Sequence, residues 1–159
     1  MRDKIVIDIG ANIGDSAIYF ALSGAASVIA IEPFPRNYEM ARKNVELNNL
    51  SNKITLLLGA CSSSNGIILV NQSEYGYNIN PMDKPEHGAK LPQMTLENIL
   101  DKNNVLHTEK AILKMDCEGC EYDVIFSSSR ETLRRFSHIQ IEYHYGYKNL
   151  KEKIRKMWL

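Results

Sequence analysis

Apolar residues in this chain come in short runs separated by segments of helical spacing. Lys4–Ile9, Val28–Glu32, Ile54–Leu58, Ala111–Met115 and His138–Ile141 are largely apolar stretches of strand length. Runs of this kind suit strands buried on both faces. Helical patterns fall between them. One covers Asp15–Leu22, with Ile13, Ala17, Phe20 and Ala21 on its apolar side; another covers Pro35–Asn48, with Tyr38, Ala41 and Val45. Thr95 is placed to cap a short helix over Leu96–Leu100. Further helical stretches are expected at Tyr122–Phe126 and Glu131–Phe136. Leu150, Ile154 and Met157 mark an amphipathic basic helix over Lys148–Trp158. The alternation predicts an α/β fold, a mostly parallel sheet with helices on both faces.

The middle of the chain breaks this rhythm. Gly66–Val70 is strand-like and runs into a Gly/Pro/Asn-rich stretch with Pro81, Pro85, Gly88 and Pro92. It reads as a hairpin and a long loop inserted before the fourth main strand, either a lid over a substrate or a plain surface connection. The length, 159 residues, fits a single domain over 1–159. Nineteen basic and nineteen acidic residues cancel, so the overall charge makes no case for nucleic acid or an anionic membrane as partner. No apolar run approaches a membrane span, and Met1–Lys4 leads straight into the first strand without a signal peptide.

Three cysteines, Cys61, Cys117 and Cys120, are an odd and small number. They are expected as reduced thiols in a cytoplasmic protein. Cys117-Glu118-Gly119-Cys120 is formally a C-x-x-C, which admits a redox pair or half a zinc site. With no second Cys/His pair at suitable spacing, we read it as small residues at a strand-to-helix turn, and expect no metal.

The chemistry concentrates at the strand ends, where open α/β sheets bind ligands. Val6-Ile7-Asp8-Ile9-Gly10-Ala11-Asn12-Ile13-Gly14 reads as a strand, a tight turn and a helix start. Gly10 and Gly14 allow a sharp turn and close approach of backbone to a ligand. The spacing is D-x-G-x-x-x-G, not the G-x-G-x-x-G of dinucleotide enzymes. Asp8 would repel a pyrophosphate, so a cationic ligand such as S-adenosylmethionine fits better. Glu32, ending the second strand, can accept both ribose hydroxyls of an adenosine. Gly59 and Ala60 are small enough for an adenine to pass, and Phe34 can pack on the ring or act as a helix-start staple. Asp116, Glu118, Glu142 and His144 remain for the substrate side. Asp116 or His144 is the candidate general base. Asp116, Glu142 and His144 also form a conceivable oxygen/nitrogen metal set.

Four segments together resemble the FkbM-type S-adenosylmethionine-dependent methyltransferases. They are Val6–Gly14, Ile31-Glu32-Pro33 ahead of a helix, Thr95-Leu96-Glu97 ahead of Leu113–Glu121, and Ile139–His144. The most specific is K-x-D-x-E-G-x-E, standing here as Lys114, Asp116, Glu118, Gly119 and Glu121. The resemblance implies a Rossmann-like class I methyltransferase fold and a cofactor site of Asp8, Gly10, Ala11, Asn12, Gly14, Glu32, Pro33, Phe34, Gly59 and Ala60. It implies methyl transfer to an oxygen of a sugar or small metabolite; their place at neighbouring strand ends puts Asp116, Glu118 and His144 on the acceptor side. Such folds have seven strands; five are counted here, so the domain is expected to lack the last two, and either to pair with a second copy through the free edge of the fifth or to be poorly ordered after about Gly146. Two other functions stand beside this one: a non-catalytic S-adenosylmethionine-binding module, and a nicotinamide-dependent oxidoreductase.

Overall fold

The computed structural model describes residues 2–71, 88–106, 110–142 and 150–157. In chain order, β1 (Ile5–Ile9), α1 (Asp15–Leu22), β2 (Ser27–Glu32), α2 (Pro35–Leu47) and β3 (Ile54–Leu58) form the first half. A short β4 (Ala60–Cys61) precedes β5 (Gly66–Asn71) and β6 (Gly88–Met94). Then come α3 (Leu96–Lys102), β7 (Ala111–Met115), α4 (Cys120–Ser127), α5 (Arg130–Leu133), β8 (Phe136–Ile141) and α6 (Leu150–Met157).

Five strands make a parallel sheet in the order β3-β2-β1-β7-β8. Parallel neighbours need crossovers, and right-handed helical crossovers place helices on both faces. The two-residue period of β1 divides its side chains between two cores. Ile7 and Ile9 join Leu113 and Met115 under α3 and α4, with Leu150 of α6 in the same cluster. Val6 joins Val28 and Ala30 under Ala17, Phe20 and Ala21 of α1 and Val45 of α2. The expected α/β architecture is therefore the observed one. The strand order reverses between β1 and β7, which opens a crevice at their carboxyl ends.

Three details differ from the sequence reading. Phe136 opens β8 rather than closing a helix, because it is fully buried and lies in register with Ala111 at a bulge. The Pro92 region, expected as loop, is part of β6, which runs antiparallel to β5 and beside β4 in a second, three-stranded sheet. Proline is tolerated there because β4 pairs only with Gln93 and Met94, so among the described residues Pro92 has a strand neighbour on one side alone. Phe34 with Val70 and Leu91 forms a small core under this sheet. Third, Cys117 and Cys120 are joined in a disulfide, not present as free thiols; Cys61 remains free and buried. Two of the three cysteines are therefore not the reduced thiols expected of a reducing compartment.

The Thr95 cap is present, its hydroxyl accepting from Asn98 N at 3.2 Å. Most of the proposed lid, 72–87, lies outside the described residues. No helix among those described is long and apolar enough to cross a membrane. Among the described residues β8 pairs only with β7 and forms an edge of the main sheet.

Candidate active site

The loop after β1 is built from backbone. Gly10 N and Ala11 N both donate to Ile31 O at 3.0 Å, tying the turn to the end of β2. Gly10 has φ +80°, and a Cβ there would stand 1.8 Å from the Asp116 carbonyl oxygen. No other residue fits. Gly14, at φ +86°, caps α1 beside Ala41. Asn12 is exposed and also left-handed, at φ +48°.

Glu32 fixes the next layer. Its Oε2 accepts from Asn12 N at 2.8 Å and its Oε1 from Phe34 N at 2.9 Å, with Asn37 Nδ2 at 3.5 Å. The carboxylate is buried, and burial pushes it up to about 7 against the pull of those donors. One side chain thus positions the Gly loop and the entry to α2 together. Pro33 is half-buried beside it, while the Phe34 ring faces the small core. Gly59 donates to Glu32 O at 3.1 Å, and a Cβ there would meet Pro92 O at 2.7 Å, so it sits where β6 crosses close. Ala60 is buried on β4.

Asp8 does not present a bare charge to the loop. It is fully buried, its Oδ2 accepts from Ser16 Oγ at 2.6 Å, and its Oδ1 lies 3.2 Å from Lys114 Nζ. Burial raises its carboxyl above the usual range, and Lys114 and Ser16 oppose that rise. Lys114 also donates to Gly10 O at 3.1 Å and stands 3.8 Å from Asp116 Oδ2. Asp8 and Asp116 thus share one ammonium, and electrostatic exclusion of a pyrophosphate by Asp8 is weaker than its position in the sequence implies.

Lys114 is the site residue that the sequence reading quoted without a role. The signal was present: a lysine inside an apolar central strand needs a buried anion, and Asp8 is its register partner on β1.

Just after β7, packed against the Gly10 turn, Asp116 is about a third exposed, and its N donates to Ile9 O at 3.0 Å. Glu118 follows at φ +55° in the turn before α4. Glu121 is fully buried and accepts from Cys117 N and Gly119 N, both at 2.9 Å. Glu142 is exposed just beyond β8. His144 lies outside the described residues, so the Asp116, Glu142 and His144 metal set is not assembled from them. Among the described residues no three His, Cys, Asp or Glu side chains are grouped to hold a metal ion.

A Gly loop, a buried acidic end of β2 and a reversal of strand order between β1 and β7 are features of a Rossmann-like fold with its candidate site at the strand ends. A family model described as the methyltransferase FkbM domain matches residues 8–158, and the chain belongs to that family. The fold is similar to that of the methyltransferase FkbM from Methylobacillus flagellatus KT, with a TM-score of 0.68 at 18% identity. That match covers 98% of this chain and 37% of the other. The N-terminal domain of human METTL16 in complex with SAH matches 99% of this chain, and 53% of itself, at a TM-score of 0.52 and 18% identity. At these identities the likeness is one of fold. A shorter stretch is 45% identical over 58 residues to protein arginine N-methyltransferase 1 of Saccharomyces cerevisiae, covering 36% of this chain and 16% of that enzyme. The ribosomal protein L11 methyltransferase of Carboxydothermus hydrogenoformans is 39% identical over 54 residues, 34% of this chain and 18% of its own length. The chain thus spans less than a fifth of these two curated relatives. S-adenosylmethionine, the expected cofactor, is consistent with the family and with the fold.

Proposed function

We propose that this domain binds S-adenosylmethionine at the carboxyl ends of β1 and β2 and methylates an oxygen of a sugar or other small metabolite. The observation that carries the reading is Glu32. Its two oxygens are held by the backbone donors of Asn12 and Phe34, so the carboxylate has one orientation. Oε2 keeps a lone pair for one ribose hydroxyl, and at Oε1 the second hydroxyl of the diol would take the place of the long 3.5 Å bond from Asn37 Nδ2. Asp8, Gly10, Ala11, Asn12 and Gly14 form the wall of this site. Pro33, Phe34, Gly59 and Ala60 shape its adenine side, Phe34 by where it fixes the small sheet. The residues fit the ligand in charge as well: Asp8 and Asp116 share a single ammonium, which suits a cationic donor better than a polyphosphate.

Bound there, the cofactor supplies a sulfonium-activated methyl group. The chain supplies orientation and proton removal. Asp116, partly exposed where β7 ends beside the Gly loop, is our candidate to take the proton of an acceptor hydroxyl, with Glu118 and His144 as the further candidates the sequence offers. Titration calorimetry with S-adenosylmethionine and its demethylated product tests the site. Glu32→Ala should cost about 1–3 kcal/mol of binding, the usual loss for hydrogen bonds to a charged group. Unchanged affinity would refute the assignment. A labelled-methyl panel of sugars and hydroxylated metabolites, run beside arginine peptides and RNA, tests the acceptor; transfer to the latter two alone would refute an oxygen acceptor.

A further inference from the structure

The disulfide between β7 and α4 is poorly placed to act as a staple. It joins Cys117 to Cys120, three positions apart, and a cross-link over so short a loop removes little freedom from the unfolded chain. The turn is also held without it, because Glu121 accepts from both Cys117 N and Gly119 N at 2.9 Å. In the turn so held, the two Cα atoms are 5.5 Å apart, within disulfide range.

Its two sides face different surroundings. On the outside, a Cβ added to Gly119 would meet nothing within 4 Å, and both cysteines are only half-buried. A thiol can therefore approach. On the inside, the turn presses on the Gly loop. A Cβ on Gly10 would lie 1.8 Å from Asp116 O and 3.3 Å from Cys117 Cα. A change in the turn would be transmitted by direct contact to Gly10 and to Asp116.

We propose that Cys117 and Cys120 are a reversible thiol–disulfide exchange site for small or protein dithiols, and that its state tunes ligand binding at the Gly loop. In the exchange, a thiolate of the dithiol attacks one sulfur of the bridge. The Cys–Cys bond breaks and a mixed disulfide forms. The second sulfur of the dithiol then displaces the remaining cysteine. Two electrons pass to the protein, its two sulfurs take up two protons, and the dithiol leaves as a disulfide. Oxidation by a disulfide runs the same steps backwards. Cys61 stands apart: it is buried, and burial pushes its thiol up to about 12, so little of it is thiolate.

The exchange site stands on its own geometry; its effect on binding rests on the methyl-donor site proposed above. The full chain is equilibrated across ratios of reduced to oxidised dithiothreitol, alkylated and weighed intact. Cys117 and Cys120 should gain label together and reversibly, with unchanged far-ultraviolet circular dichroism and with Cys61 unlabelled until denaturant is added. A bridge that opens only when the protein unfolds would overturn the exchange site. So would a Cys117→Ser/Cys120→Ser double variant that fails to fold, because the bridge would then be a staple. In the second arm, the demethylated cofactor is titrated into the oxidised protein, the reduced protein and the double variant. We expect an affinity difference of at least about fivefold, the low end of ordinary coupling between sites, with the double variant matching the reduced protein. Equal affinities would overturn the coupling. Absence of binding in every state would refute the donor site and the coupling with it, while the labelling result would still decide the exchange site.

Discussion

Lys114→Met removes the ammonium that, among the described residues, serves Asp8, and keeps an unbranched side chain one atom shorter. At 3.2 Å, and with an effective dielectric of about 20, the lost attraction is about 5 kcal/mol. Asp116, at 3.8 Å and about a third exposed, adds much less after solvent screening. Removing one partner of a buried pair typically costs about 3–5 kcal/mol, because a charge is left without compensation. Asp8 has an escape: it can take a proton. From an unfolded value of about 3.9, holding it neutral at pH 7 costs about 4 kcal/mol, which caps the damage. The expected loss is therefore about 3–4 kcal/mol at pH 7.

The sign with pH is fixed by the same reasoning. A carboxyl raised in the folded state contributes stability that is full below its unfolded value and is lost as pH rises. Replacing Lys114 raises Asp8 further, so the gap between parent and variant should narrow as pH falls from 7, by up to about 1.4 kcal/mol per unit, until the pH reaches the already raised value of Asp8 in the parent, below which both gain stability together. Urea unfolding at pH 7, 6 and 5 measures it. A variant within about 0.5 kcal/mol of the parent at pH 7 would refute the account, as would a gap that does not change with pH.

Other outcomes follow from the same geometry. Glu32, pushed up to about 7 by burial, is half protonated near neutrality, whereas a ribose diol donates to the carboxylate. Binding of the demethylated cofactor should therefore strengthen about tenfold from pH 6 to pH 8, and Glu32→Gln should be weak and nearly flat with pH; a flat parent profile in calorimetry would refute this. In the free protein the sign is opposite: Glu32 favours folding most below about 4.3 and loses that contribution as pH rises through 7. Gly10→Ala should cost at least about 3 kcal/mol, because the left-handed backbone and the contact with Asp116 O act together, whereas Gly66→Ala, in open space on β5, should not destabilise; equal midpoints in urea would refute the contrast. Sedimentation velocity over a concentration series should show pairing through the β8 edge, and a monomer throughout would refute it.

Strands buried on both faces read plainly in the sequence. Ile54–Leu58 and Ala111–Met115 were expected with the bounds found, as was Asp15–Leu22 for α1. Continuous apolar runs bracketed by glycine, proline or caps leave little else to propose. β6 was hidden because its Pro92 is a strand-breaker unless a neighbour is missing at that point, and that depends on where β4 ends. The α5–β8 boundary was misplaced because Phe136 suits either element until Ala111 is beside it. The acidic and glycine members of the site were legible as residues at strand ends. Their partners were not: Lys114 reaches Gly10 O across more than a hundred positions, and Asn12 N reaches Glu32 across twenty. Register and burial decide such pairs, and neither is local.

Those partners also change what the acidic strand ends mean. Carboxylates converging at one sheet edge look, from the sequence, like charge awaiting a ligand. In the fold the protein itself supplies partners to three of them, although among the described residues Asp8 Oδ1 has only its ion pair with Lys114 and no hydrogen bond. Asp8 has Ser16 and Lys114, Asp116 shares Lys114, and Glu32 has two backbone donors. Glu121 repeats the device one loop further on, with two backbone donors of its own. Convergence of acids is thus first a way of shaping loops, since each buried carboxylate fixes backbone groups that would otherwise go unpaired. What remains for a donor site after that service is an oriented Glu32 with an unused lone pair on Oε2, and an Asp116 that is tied to Lys114 yet partly exposed. The first is placed to hold a ligand and the second to meet an acceptor, and the Gly10 turn, pressed against Asp116 O, keeps the two at a fixed separation.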